Sequence, residues 1–270
     1  MPELPDLSVY AENLAPKVRG KTIELVEVHQ PRVLERMKKA EFMEKLRGRT
    51  IHDVVRRGKT LGFLLDSGDR VDVHLMLTGE MYYSEVGKPA HAPLPCLGLH
   101  FTDDSRLVFS DLHYDIRKPL NPKMSIAINK KERLGMDPLA PSLTPEVLAT
   151  ISKRSKIAPI KALLMDQKLI AGLGNAYVDE ILWEARIRPR HPASLLTSEQ
   201  ITELHRAIRT VTTDAIEMIR GGLQGEIHGE ISDFLKVHYR GGKPCPRCGT
   251  KIADEYFRDR TTNWCPICQP

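Results

Sequence analysis

The sequence predicts a multidomain α+β protein: an N-terminal antiparallel β-sandwich with flanking helices, a helical domain, and a C-terminal β-hairpin pinned by cysteines. Three observations carry this. Short, alternating, β-branched runs separated by turn residues fill the first 130 positions. Apolar residues spaced by three and four dominate from 142 to 240. Two Cys-x2-Cys pairs then close the chain, with sixteen residues between them. Many short strands without long intervening helices favour a sandwich or flattened barrel.

The chain opens on an amphipathic helix, with Leu7, Tyr10, Ala11 and Leu14 on one face, ending near Pro16 to Gly20. Strands are expected at 22–28, 50–55, 61–65, 70–75, 97–101 and 107–109. Asp66-Ser67-Gly68-Asp69 and Asp103-Asp104-Ser105 supply turn signals between them. One amphipathic helix over 34–47 interrupts them, using Leu34, Met37, Phe42 and Leu46. The stretch 90–95 reads as a proline-rich loop, and 131–141, broken by Gly135, Pro138 and Pro141, as a linker.

Beyond the linker, Thr144-Pro145-Glu146 is an N-cap followed by a first-turn proline. Helical stretches follow over 157–169 and 177–184, on either side of Gly172-Leu173-Gly174-Asn175. A long helix over 198–219 repeats Ile201, Leu204, Ile208, Val211, Ala215 and Ile219. The expected domains are therefore 1–130, 142–240 and 241–270.

Cys245, Cys248, Cys265 and Cys268 have the spacing of one structural zinc ion, because each short turn points two thiolates at a single tetrahedral centre. Four thiolates leave no open coordination position, so such a site stiffens rather than catalyses. Between the pairs, 251–253 and 256–258 are expected to form a hairpin whose tip carries 259–263, Arg260 included. The formal charge is +5, from 40 Lys and Arg against 35 Asp and Glu, an excess too small to demand nucleic acid by itself. No run approaches membrane-spanning length, and the acidic, proline-bearing start does not resemble a signal peptide, which points to a reducing compartment.

Pro2 carries chemistry if Met1 is removed, since the chain then begins with a secondary amine. Such an amine attacks an electrophilic carbon to give an iminium, and an α-amine titrating near about 8 is partly unprotonated at neutral pH. Alone, Pro2 and Glu3 are commonplace second and third residues.

The string Met1-Pro2-Glu3-Leu4-Pro5 changes that weight, because it resembles the opening of the formamidopyrimidine-DNA glycosylase and endonuclease VIII family. The resemblance continues through Val55-Arg56-Arg57-Gly58-Lys59, His74-Leu75-Met76-Leu77-Thr78-Gly79, Leu164-Met165-Asp166-Gln167, Gly172-Leu173-Gly174-Asn175 and the terminal cysteines. It covers nearly the whole chain, in family order. It implies a helix-two-turns-helix DNA-binding domain at 142–240, a zinc-finger hairpin at 241–270, and a DNA glycosylase that is also an abasic-site lyase. Pro2 would be the nucleophile, Glu3 its acid/base partner, and Lys59, Asn175 and Arg260 would hold DNA phosphate around a damaged base or abasic site. Lys156 is a weaker phosphate candidate. The resemblance implies no cofactor beyond zinc, a monomer without membrane attachment, and a cytoplasmic or nucleoid-associated location in a bacterium.

Three departures from the family pattern bear on substrate. At 110–115 the chain has Ser-Asp-Leu-His-Tyr-Asp where members resemble Asp-Pro-Arg-Arg-Phe-Gly, leaving His113 or Tyr114 to stack on or donate to a base. Leu77 replaces the void-filling methionine with another apolar wedge. The interval from Arg220 to Val237 is abbreviated where members often carry a loop over an oxidised purine. The first two suggest a preference for single-stranded or distorted DNA, where extruding a base costs least. The third suggests oxidised pyrimidines, ring-opened purines or hydantoins above 8-oxoguanine. The rivals are a damaged-DNA-binding protein with weak catalysis, and a glycosylase for bulky adducts or crosslinks.

Overall fold

The structure, a computed structural model, describes every residue except 89–91, 112–123, 155–157 and 258–259. It divides into two compact units, the first made of residues 1–2, 6–132 and 219–230, the second of 3–5, 133–218 and 231–270.

The first unit is the expected antiparallel sandwich. One four-stranded sheet has the order β1 (Ile23–Val28), β6 (Pro95–Phe101), β7 (Arg106–Asp111), β5 (Gly79–Ser84). The other runs β2 (Ile51–Arg57), β3 (Thr60–Leu65), β4 (Arg70–His74), β8 (Ser125–Ile128). Their inner faces meet in an apolar core, where Phe63 of β3 and Phe109 of β7 pack edge to face with centroids 5.8 Å apart. Helix α1 (Leu4–Val18) buries Leu7, Tyr10, Ala11 and Leu14, and the chain leaves it through Gly20 at φ +79°. Residues 219–230 return to this unit and are tied to α1: Tyr10 donates to Gly229 O (2.6 Å), Asn13 to Glu226 O (2.7 Å), and Arg220 grips the Glu12 carboxylate.

Three expectations for this unit are corrected. Helix α2 covers only Lys39–Leu46, not 34–47. Arg36 at φ +54° sits in the left-handed region, where no right-handed helix can pass, and a short 3-10 turn at Pro31–Val33 precedes it. Strands β5 and β8 were not expected: β5 opens on a glycine and carries Glu80 and Ser84, while four-residue β8 is defined by its pairing with β4.

The second unit is helical, with α3 (Pro145–Arg154), α4 (Ile160–Met165), α5 (Asn175–Glu184) and most of α6 (Ser198–Leu223). Helix α4 is shorter than the expected 157–169. Asp166 turns extended, and its carbonyl and carboxylate accept from the amides of Leu169, Ile170 and Lys168, building a turn instead of another helical repeat. Gln167 braces that turn, donating to Met165 O (3.0 Å) and Leu173 O (2.8 Å) and accepting from Gly172 N (2.8 Å). The hairpin is β9 (Ala253–Phe257) paired with β10 (Arg260–Trp264). Residues 260–263 therefore lie in a strand and not, as expected, at the tip, and Arg260 is the first residue of β10.

Candidate functional site

In the first unit the candidate residues stand at turns anchored by α1 and the sheets. Pro2 is half-buried, two residues before α1 begins. Lys59 is half-buried in the two-residue loop between β2 and β3, beside Gly58 at φ +57°, a conformation that two-residue hairpins assign to glycine. Arg56 fixes that loop to α1, its Nε donating to Ser8 Oγ (2.9 Å) and its Nη1 to Gly58 O (3.3 Å).

Leu77 projects from the turn between β4 and β5 and is 57% exposed, next to exposed Met76. The turn is tightly built. Met76 has φ +54° and donates its amide to His74 Nδ1 (3.0 Å), Gly79 donates to Leu75 O (2.8 Å), and Thr78 Oγ1 donates to Asp111 Oδ1 (2.6 Å). Acceptance at Nδ1 requires a neutral imidazole. Burial, reinforced by Lys130 and Lys59, holds the His74 pKa below the usual histidine range and favours that form. His113 and Tyr114, like Lys156, lie outside the described residues.

In the second unit Glu3, Asn175 and Arg260 converge on the N-terminus of α5. Glu3 is only 4% exposed, and its Oε1 accepts from the Ala176 amide (3.2 Å), one of the donors that a helix start leaves without an intrahelical partner. Residues 3–5 are further docked by the Leu4 amide donating to Gly172 O (3.0 Å). Asn175, the first residue of α5, donates its Nδ2 to Thr261 O (2.9 Å). That bond places exposed Arg260, the next residue along β10, at the same helix end. A helix N-terminus, an asparagine amide and an exposed arginine thus lie together, donor types that anion binding uses.

Beneath them lies a buried polar group that reading the sequence missed. Lys161 (1% exposed) donates to Asp179 Oδ1 (2.6 Å) and Thr262 Oγ1 (2.9 Å). Asp179 (0% exposed) also accepts from His238 Nδ1 (2.8 Å) and Asn263 N (3.2 Å). Burial pulls the Lys161 ammonium down from the usual lysine range, against the opposing pull of Asp179. The available signal was Lys161 within Ile160-Lys161-Ala162-Leu163-Leu164, a charge inside an otherwise apolar helical run.

The four cysteines form the predicted centre. Their Sγ atoms all lie within 4.8 Å of one another, with Cys248 and Cys265 at 3.5 Å and Cys245 and Cys268 at 4.0 Å. Tetrahedral zinc with bonds of about 2.3 Å separates its sulfurs by about 3.8 Å, so the donor set fits one structural ion and not two disulfides. Trp183 Nε1 donates to Cys245 Sγ (3.4 Å), and the Arg247 guanidinium stacks on the Trp183 ring (3.9 Å), seating the knuckle on α5.

Models of known families match along this chain: the formamidopyrimidine-DNA glycosylase N-terminal domain at residues 1–114, the H2TH domain of the same enzymes at 134–226, and the zinc finger found in FPG and IleRS at 242–270. The formamidopyrimidine-DNA glycosylase of Chloroflexus aggregans is 39% identical, the match covering 100% of this chain and 98% of that one. The chain belongs to the formamidopyrimidine-DNA glycosylase family. The Pelotomaculum thermopropionicum member is 38% identical over 100% of this chain and 99% of its own. Among solved structures, Lactococcus lactis Fpg with abasic-site DNA superposes with a TM-score of 0.84 at 27% identity, covering 99% of each chain. The same enzyme with DNA containing FAPY-dG gives 0.85 at 28%, again covering 99% of each. Among the described residues no helix is long and apolar enough to cross a membrane.

Proposed function

We propose that this family member is a bifunctional DNA glycosylase and abasic-site lyase that works through the Pro2 amine. The supporting observation is the environment of Glu3, a buried carboxylate held by the Ala176 amide, with Pro2 before it in the chain and Asn175 and Arg260 at the same helix end. Acid/base work needs a carboxylate at a fixed place, and phosphodiester recognition needs donors beside it.

After removal of Met1, the Pro2 nitrogen attacks C1′ of the damaged nucleotide while the C1′–N bond breaks and the base leaves with a proton. Glu3 protonates the ring oxygen as the sugar opens, giving an iminium between Pro2 and C1′. The iminium acidifies C2′–H, and loss of that proton expels the 3′ phosphate. A second elimination expels the 5′ phosphate, and water releases the sugar remnant from Pro2. Arg260, Asn175 and Lys59 bind backbone phosphates through these steps. The zinc ion keeps the hairpin folded, so that Arg260 is presented on a fixed mount.

Exposed Leu77, an apolar wedge beside Met76, supports a finer reading in which partly unstacked or single-stranded DNA is the preferred substrate. The segment from Arg220 to Val237, read from the sequence as abbreviated, supports oxidised pyrimidines, ring-opened purines or hydantoins as targets above 8-oxoguanine.

The test is borohydride trapping on abasic-site DNA, with excision from a lesion panel in single- and double-stranded form. A trapped adduct in the wild type, and its loss in Pro2→Gly, is expected. Binding without trapping identifies the weaker, binding-only alternative, and equal excision from intact duplex removes the single-strand preference.

A further inference from the structure

The hairpin β9–β10 is a single two-stranded ribbon, an arrangement with little stability of its own, and its register on α5 needs an external reference. Consecutive anchors supply one along β10. Cys265, directly after the strand, belongs to the thiolate centre. The Asn263 amide is held by Asp179 Oδ2, Thr262 Oγ1 by Lys161, and Thr261 O by Asn175. Arg260 is the next residue out, and it is exposed.

The Asp179 carboxylate is the common point of this series. It joins α4 through Lys161, β10 through Asn263 and the 236–239 segment through His238. That segment is fixed by four further bonds from its backbone amides. Neighbouring Glu180 accepts the amides of Lys236, Val237 and His238, and Asn263 Oδ1 accepts the amide of Tyr239 (3.0 Å). A buried ion pair is seldom more stabilising than well-packed apolar residues of similar volume. Apolar packing would hold a ribbon on a helix yet tolerate sliding. Directional bonds to one amide and one hydroxyl permit a single register, because a shift by one residue turns every strand side chain to the opposite face.

We infer that Asp179 and His238 are positioning residues, which lock the register of β10 on α5 and thereby aim Arg260 at the DNA backbone. Neither touches the reacting atoms. The functional half of this inference rests on the reading of Arg260 as a phosphate contact, whereas the register lock stands on the hydrogen bonds alone.

His238→Phe removes the imidazole donor while keeping an aromatic ring, and His238→Asn retains a short donor. Lys161→Met/Asp179→Leu replaces the ion pair without leaving a lone buried charge. Each is made in the full zinc-bound protein and compared with Arg260→Ala. Zinc content should stay at one ion per chain, while the Asn263 amide loses hydrogen-exchange protection. KM for abasic-site DNA should rise about tenfold in His238→Phe with kcat changed less than about twofold, as expected when one charge-assisted contact is misplaced. Adding Arg260→Ala to His238→Phe should cost nothing beyond Arg260→Ala alone, since both act on one contact. His238→Asn should recover most of the lost affinity.

Unchanged protection at Asn263 in both His238→Phe and the apolar pair would overturn the register lock, as would strict additivity with Arg260→Ala. If Arg260→Ala leaves KM unchanged while Asn263 still loses protection, the lock stands and the phosphate reading of Arg260 fails.

Discussion

The side-chain amide of Asn175 donates to the carbonyl of Thr261 across 2.9 Å, so the first residue of α5 grips the zinc-finger strand directly beside Arg260. An amide nitrogen has two hydrogens, and the bond to Thr261 uses one. On the proposed function Asn175 has two tasks, bracing the hairpin and offering its second hydrogen to phosphate. Asn175→Ala should weaken binding to abasic-site DNA by roughly ten- to a hundredfold, the range for hydrogen bonds to charged groups. Asn175→Asp should be worse, because a carboxylate faces both the Thr261 carbonyl and the phosphate without a proton to donate. Titration by fluorescence anisotropy at fixed salt ranks the two. Equal affinities would mean that the donor is not what matters.

Gly79 ends the turn that carries Leu77. A Cβ there would lie 2.4 Å from the Leu75 carbonyl oxygen, a backbone atom that cannot swing aside. Gly79→Ala should therefore cost about 2 kcal/mol or more in stability, in the range of mutations that force backbone strain, and should displace the wedge. Chemical denaturation checks the first effect. Excision from duplex relative to single-stranded DNA checks the second, with duplex activity falling further if Leu77 fills the space of an extruded base.

His74 links acid sensitivity to the same turn. Its folded-state pKa lies below the unfolded value, so the unfolded chain binds the proton first as pH falls. The stability tied to neutral His74 is fully present above about 6.5 and is lost progressively as pH drops toward the folded pKa. His74→Asn cannot titrate. The melting-temperature advantage of the wild type over this variant should shrink from pH 7 to pH 5, and a constant gap would exclude His74 as the titrating group.

Removal of zinc should disable DNA binding without chemical change at Pro2. The core around Trp183, Val237, Cys245, Ile252 and Cys265 is small and depends on the thiolate centre at its middle. A thiol-competing chelator should expose Trp183, shift its emission to the red, and make the 242–264 region protease-sensitive. Zinc should restore affinity and magnesium should not. Retained affinity in the metal-free protein would show that the hairpin holds itself.

Much of this molecule was legible in the sequence because its signals were local. The cysteine spacing gave the metal centre, and helical periodicity located α5 and α6. What escaped was defined by partners distant in the chain. Strand β8 exists through its pairing with β4, more than fifty positions upstream. The hairpin register was misjudged because Phe257 and Arg260 pair directly, which moves Arg260 from the tip into β10. The Lys161–Asp179–His238 group escaped for the same reason: Lys161 stands out as a charge in an apolar run, yet nothing local ties it to Asp179 or His238.

Borohydride reduction of the protein on abasic-site DNA, followed by peptide mass mapping of the adduct, tests the central claim most directly. The deoxyribose remnant is expected on the N-terminal peptide at Pro2, with Met1 absent. A remnant on Lys59 or another lysine, or an adduct formed while Met1 is still attached, would contradict it.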